Sequence, residues 1–281
     1  MPVAEVSTSD SVAVSAPGAR GRATLRAIRV LWLRELIRFG RNRLRVAMGL
    51  VSPLMFLLVL GTGLGSMMGV SAGFRSYLFP GVLLMAVQAP AITVGISIVW
   101  DRQAGFLRQM LVAPVRRGAI VAGLCLGGAT TGTLYGALVL VLAGVAGIPY
   151  HPQLLLVLAE LALVAFTFTA MGVLAAVCIK RIETFQVVVN LALMPLLFLS
   201  GAMFPASGLP TWLGVAVNAN PLTYAVDAIR RTLPGDAAHL PGADGPRWWD
   251  AAPPVVLEIG FVALLAAVAL AVATRRFSRT E

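Results

Sequence analysis

Six long apolar runs, at residues 46–70, 78–100, 119–147, 154–179, 185–204 and 255–273, dominate the chain, and short segments between them hold most of the charges. Each run reaches about the 17–25 residues that a helix needs to cross the hydrocarbon core, and the longest predict a tilt. Helices are expected because lipid offers backbone amides no partner, whereas a helix satisfies them within the segment. Ahead of the first run the period changes. Leu25, Ile28, Trp32, Leu36 and Phe39 recur at steps of three and four, while Arg22, Arg26, Arg34, Arg38, Arg41 and Arg45 take the other faces. That pattern predicts, over residues 22–45, a basic amphipathic helix lying in the bilayer interface. Residues 1–21 are rich in Ser, Ala and Pro and lack a basic stretch followed by an apolar one. A disordered cytoplasmic tail is expected there, not a secretory signal.

The connections carry two further signals. Within residues 205–254, Asn220 followed by Pro221 is a helix start, with Asn as cap and Pro in the first helical position. Leu222, Ala225, Val226 and Ile229 then share a face, and the stretch from Leu209 to Leu213 predicts a second short helical piece. Both are too short to cross, so they read as re-entrant or interfacial helices on the outer face, with 234–254 as a surface loop. On the other side, the 101–118 connection is longer than two spans need. It opens on Asp101, has a turn-permitting Gly105, places Phe106, Leu107, Met110 and Leu111 at helical steps, and closes on Pro114. It is either a solvated loop or a short amphipathic helix that docks on a cytoplasmic partner. The fold class expected is thus all-α and polytopic. A six-helix transmembrane domain spans 46–275, followed by a short cytoplasmic tail at 276–281.

Composition supports lipid as the solvent. Of 281 residues 58% are hydrophobic and 12% charged, against about 25% charged in a typical soluble domain, and the mean hydropathy is +0.87. The net charge of +10 does not point to nucleic acid. Of the 22 basic residues all but Lys180 are arginine, and they lie in the connections. Eighteen fall on the side of the N-terminus and the 101–118 connection, and four on the side of 205–254. Basic residues accumulate in cytoplasmic connections, so both termini are expected in the cytoplasm of a bacterial cell, as an even number of spans requires.

Chemistry is sparse. A P-loop needs a lysine in a glycine frame to reach phosphates; Lys180 lies in Val177-Cys178-Ile179-Lys180-Arg181-Ile182, without one. No GxSxG or HExxH occurs either. The chain is therefore expected to have no catalytic residue, resident cofactor or metal: Cys125 and Cys178 lie in apolar runs, and His151 and His239 in loops. Glu160 and Glu258 fall inside spans, where carboxylates are costly. Both lie in the outer part of their helices, and a structural or interfacial role is favoured over proton coupling. Gln88, Thr93, Gln186 and Asn190 are polar within spans and serve either helix–helix hydrogen bonding or, with Phe198, a substrate pathway. Gly61, Gly65 and Gly69, and likewise Gly128, Gly132 and Gly136, form small-residue stripes suited to close helix packing within a subunit or between subunits.

The motifs Asp101-x-x-x-Gly105 and Met110-Leu111-Val112-Ala113-Pro114-Val115-Arg116 have counterparts in a known family. So do Pro195-Leu196-x-Phe198-Leu199-Ser200-Gly201-x-Met203-Phe204-Pro205, Leu209-Pro210-x-Trp212-Leu213 and Asn220-Pro221-Leu222-Thr223-Tyr224-Ala225-Val226-Asp227-x-x-Arg230. Over about residues 22–275 the chain resembles the permease subunits of type-2 ATP-binding-cassette exporters, in particular the daunorubicin-resistance branch. It departs in having Asp101 where the family carries Glu. The resemblance implies a dimer with a second permease copy or a related permease, and separate ATPase subunits that hold ATP and magnesium. It implies an ATPase-coupling role for Asp101, Arg102, Gly105, Leu107, Arg108, Met110, Pro114 and Arg116. It implies an outer gate that includes Pro205, Pro210, Trp212, Asn220, Pro221, Tyr224, Asp227 and Arg230. Export of an amphipathic drug, antibiotic or lipid is the function expected. The alternative is a proton-coupled secondary transporter using Glu160 and Glu258.

Overall fold

The computed structural model describes residues 17–67, 71–104, 117–203, 210–235, 245–246 and 252–279. Among them the chain is all-helical: α1 (Pro17–Arg41), α2 (Arg43–Met67), α3 (Ser71–Gln103), α4 (Arg117–Leu140), a 3-10 turn at Ala143–Ala146, α5 (Leu154–Cys178), α6 (Ile182–Phe198), α7 (Thr211–Ala219), α8 (Pro221–Thr232) and α9 (Val255–Arg279). Five helices are long and apolar enough to cross a membrane, namely α2, α3, α4, α5 and α9. The fifth of the six expected spans is the 17-residue α6, about 25 Å long and at the lower limit for crossing.

Several boundaries differ from the sequence expectation, each for a local reason. The helix expected over 22–45 is two helices that meet at Asn42, whose side-chain Oδ1 accepts from the amide of Arg45 at 3.1 Å and so caps α2. Arg43 and Arg45 therefore belong to α2. At the other end, α1 takes in residues 17–21 of the expected tail. The 71–77 connection is the first two turns of α3. The run 119–147 stops being α-helical at Leu140, and Gly147, at φ 83°, closes the 3-10 turn after it. The C-terminal residues from 276 continue α9 to Arg279.

α3 forms the centre. Every residue from Tyr77 to Leu84 is buried, and Ala86, Val87, Ala91, Val94, Ile98 and Val99 continue that interior towards its C-terminal end. Around it, α4 packs with two glycine faces. Gly128, Gly132 and Gly136 receive α5 and α3: a Cβ on Gly132 would lie 2.9 Å from Ala165 Cβ and 3.3 Å from the Val87 carbonyl oxygen. This stripe therefore works within the subunit. Gly123 and Gly127 face α1 instead; a Cβ on Gly127 would lie 2.8 Å from Glu35 Cγ. Ile28 and Leu31 meet Gly123, Trp32 Nε1 donates to Thr130 Oγ1 at 3.0 Å, and Tyr135 Oη donates to the Arg45 carbonyl at 3.3 Å. The amphipathic α1 thus runs along α4 in the same direction, with Ile28, Leu31 and Trp32 against it, while Leu25, Val30, Leu33 and Ile37 stay exposed.

Candidate functional site

Polar side chains gather at the two ends of the helix bundle. At the end where α3 stops, Asp101 Oδ2 lies 3.7 Å from Arg34 Nη1 of α1. Its neighbour Arg102 turns the other way: Nη1 donates to the carbonyls of Ala176, Val177 and Ile179, at 3.3–3.5 Å, at the C-terminus of α5. Those carbonyls lack helical partners, and a guanidinium there also meets the negative end of the helix dipole. Gln103 Nε2 reaches the Lys180 carbonyl, and Arg117, the first residue of α4, donates to the Phe277 carbonyl at 3.4 Å. α1 at Arg34 and the ends of α3 and α5 are tied together where the long connection leaves, and the start of α4 is tied to α9 where it returns. Of the coupling residues expected from the sequence, Asp101 and Arg102 are placed in this way; Gly105, Leu107, Arg108, Met110, Pro114 and Arg116 lie outside the described residues.

Glu35 was not singled out by sequence reading. It is 4% exposed, and Oε1 accepts from Arg34 at 3.1 Å and from Arg38 at 3.4 Å. The signal was present, since Glu35 is the only acid among the arginines of residues 22–45.

At the opposite end, α8 is the organising element. Asn220 caps it, its Oδ1 accepting from Leu222 N at 3.0 Å while Nδ2 donates to the Leu196 carbonyl at 2.6 Å. All residues from Leu222 to Arg230 are buried. Tyr224 Oη donates to the Asn218 carbonyl at 2.8 Å, and its ring lies 4.9 Å from that of Phe261. Arg230 donates to the Gly201 carbonyl at 2.9 Å and stands 4.5 Å over the ring of Tyr77, whose own hydroxyl donates to the same carbonyl at 3.0 Å. Arg231 pairs with Asp227 at 2.5 Å, approaches Glu258 at 3.6 Å and donates to the Pro253 carbonyl at 2.8 Å. Glu160 accepts from Thr232 at 2.7 Å. Both intramembrane carboxylates thus lie against α8, Glu160 of α5 through a hydrogen bond and Glu258 of α9 only through its approach to Arg231, both of its oxygens being buried without a hydrogen bond. Among the expected gate residues, Asn220, Pro221, Tyr224, Asp227 and Arg230 are brought together here. Pro210 stands at the N-cap of α7 and Trp212 on it, with Trp212 72% exposed, and Pro205 lies outside the described residues. Tyr77 was missed because its partners, Gly201 and Arg230, are far away in the chain; Arg231 was missed although its nearest partner, Asp227, is only four residues away.

The pathway candidates do not line one cavity. Gln88 borders an apolar pocket of about 130 Å³ between α3, α5, α6 and the start of α8. Thr93 borders a different, partly polar cavity of about 320 Å³ between α1, α2, α3 and α4. Gln186, Asn190 and Phe198 lie on the exposed face of α6, where Phe185 and Leu197 are the buried residues. Among the described residues no cluster of His, Cys, Asp or Glu is arranged to hold a metal.

Comparison with known proteins assigns this architecture. The chain is 31% identical to nodulation protein J of Rhizobium leguminosarum bv. trifolii, over 73% of this chain and 80% of that protein. It is 28% identical to the inner membrane transport permease YadH of Escherichia coli K12, over 73% and 81%. Nodulation protein J of Rhizobium meliloti is 29% identical over 73% and 80%. Residues 26–233, from within α1 through α8, match the family described as ABC-2 type transporter. This chain belongs to the ABC-2 type transporter family, as a membrane-spanning permease subunit.

Proposed function

We propose that the chain exports an amphipathic compound, a drug, antibiotic or lipid, across the bacterial plasma membrane, driven by ATP hydrolysis in a separate subunit. The observation that carries this reading is the open face of α6. Gln186 and Asn190 are exposed on its first half, and Met194 and Phe198 on its second. A membrane helix that leaves amides open beside apolar side chains suits a wall shared with a second permease, along which a molecule both polar and apolar slides. Asp101 and the connection after it take the role of the coupling element docked in the ATPase, which holds ATP and magnesium. The helices α7 and α8 act as the outer gate, and both termini face the cytoplasm. The proton-coupled alternative has less support, since Glu160 and Glu258 each lie against partners on α8.

Inside-out vesicles that contain the chain and its ATPase partner test the proposal. Accumulation of a fluorescent amphiphile that needs ATP, needs the partner, and falls in Gln186→Leu plus Asn190→Leu is the expected result. Accumulation driven by a proton gradient without ATP or partner would overturn it.

A further inference from the structure

The joint between α1 and α2 is a place where charge and apolar surface meet. Five arginines, Arg34, Arg38, Arg41, Arg43 and Arg45, fall within twelve residues, and Glu35 is the only acid among them. Glu35 is shared by Arg34 and Arg38. Arg45 has no carboxylate within 4 Å among the described residues. Glu35, Arg38, Asn42 and Arg45 line the cavity of about 320 Å³, whose other walls include Met48, Thr93 and Tyr135. With Glu35 set against Arg38, Arg45 leaves the cavity one positive charge in surplus at one end, with apolar surface at the other.

From its mouth an apolar track leaves along α2. Leu44, Met48, Val51, Met55 and Leu58 follow one another at steps of three and four, and all are exposed. That stripe is about 21 Å long, enough for an acyl chain in one leaflet of a bilayer whose core is about 30 Å thick.

We propose that this cavity is a site for an anionic phospholipid of the cytoplasmic leaflet, its phosphate held by Arg38 and Arg45 and one chain lying on the α2 stripe. The surplus charge selects an anionic headgroup over a zwitterionic one. The continuity of cavity and stripe selects a lipid over a free anion. Such a lipid would brace the α1–α2 joint, and so the Arg34–Asp101 contact one helical turn away from Arg38. The site does not depend on the export reading, because its occupant belongs to the bilayer and binds without ATP or a partner.

Native mass spectrometry of the full chain in neutral detergent, titrated with phosphatidylglycerol, with phosphatidylcholine of the same chains, or with inorganic phosphate, decides the matter. Retention of one phosphatidylglycerol per chain, at least about tenfold tighter than phosphatidylcholine, is expected from two arginines at a headgroup. Arg38→Gln plus Arg45→Gln should weaken it about tenfold or more. Arg41→Gln plus Arg43→Gln, which removes equal charge outside the cavity lining, should leave it unchanged. Met48→Glu, at an exposed position that does not threaten folding, should also weaken retention. Equal binding of the two lipids, equal loss in both arginine pairs, or displacement by phosphate at matching concentration would overturn the proposal. So would a permease dimer that excludes the lipid, because the stripe would then be a protein interface.

Discussion

Arg34 and Asp101 form a 3.7 Å ion pair that joins the N-terminal basic helix to the acid at which the long 101–118 connection begins. Both side chains are a little under one-third exposed, and an ion pair in such a setting contributes only about 0.2–1 kcal/mol. Its value lies in position. Asp101→Asn should leave thermal unfolding of the purified protein within a few degrees of wild type, yet reduce transport and stimulation of the partner ATPase. Exchanging the charges, with Arg34→Asp and Asp101→Arg together, should recover part of that loss. A double variant no better than the single ones in the ATPase assay would show that the pair does not link the two helices.

A second expectation concerns the Gly201 carbonyl, which accepts from both Arg230 and Tyr77. Arg230→Met removes a buried charge-assisted hydrogen bond and the stacking on Tyr77, for a loss of about 2–4 kcal/mol. Tyr77→Phe keeps the arginine bond and the ring and should cost only about 0.5–1.5 kcal/mol. Gly201 itself has φ 70°, so Gly201→Ala adds backbone strain of about 1–2 kcal/mol. Thermal unfolding in detergent should rank the three with Arg230→Met the lowest.

The part of this architecture written locally was legible beforehand. Hydropathy marks the spans because lipid tolerates little else, and Asn220-Pro221 marks the start of α8 because a cap acts over two residues. Asn42 carried the same kind of signal, yet the continuous apolar period around it masked the break. Long-range placement is what the period could not convey. An apolar face on α1 fits a bilayer interface and a neighbouring helix equally well, so the packing of α1 on Gly123 and Gly127, and with it the burial of Glu35, was not visible. Gln88 and Thr93 look alike as polar residues in one span, five positions apart. That spacing turns them to different sides of α3 and into different cavities.

Glycine positions give a contrast test. At Gly63 a Cβ would meet nothing within 4 Å, whereas at Gly132 it would press on Ala165 Cβ and the Val87 backbone. Gly63→Ala should be neutral or gain up to about 1 kcal/mol from helix propensity. Gly132→Leu should cost about 1–3 kcal/mol or more by forcing α4 away from α5 and α3. Folded protein recovered from membranes by size-exclusion chromatography should be unchanged in the first and sharply reduced in the second.

The placement of both termini in the cytoplasm rests on the eighteen-to-four distribution of basic residues and on the alternation of the helices that carry them. The short link between α5 and α6, with the exposed Lys180, should then face the cytoplasm, and the start of α7, with the exposed Thr211, should face out. Single cysteines at these two positions report the two sides directly, and both lie outside helix packing. Cys178 must be replaced first, because it is itself exposed two residues before Lys180, and the buried Cys125 with it. In protoplasts or spheroplasts, a membrane-impermeant maleimide should label Thr211→Cys at once and Lys180→Cys only after permeabilisation. The reverse order would invert the orientation and place the Asp101 end, with its helix-end arginines, outside the cell. Labelling of both positions in intact cells would mean that α6, at 17 residues, fails to cross.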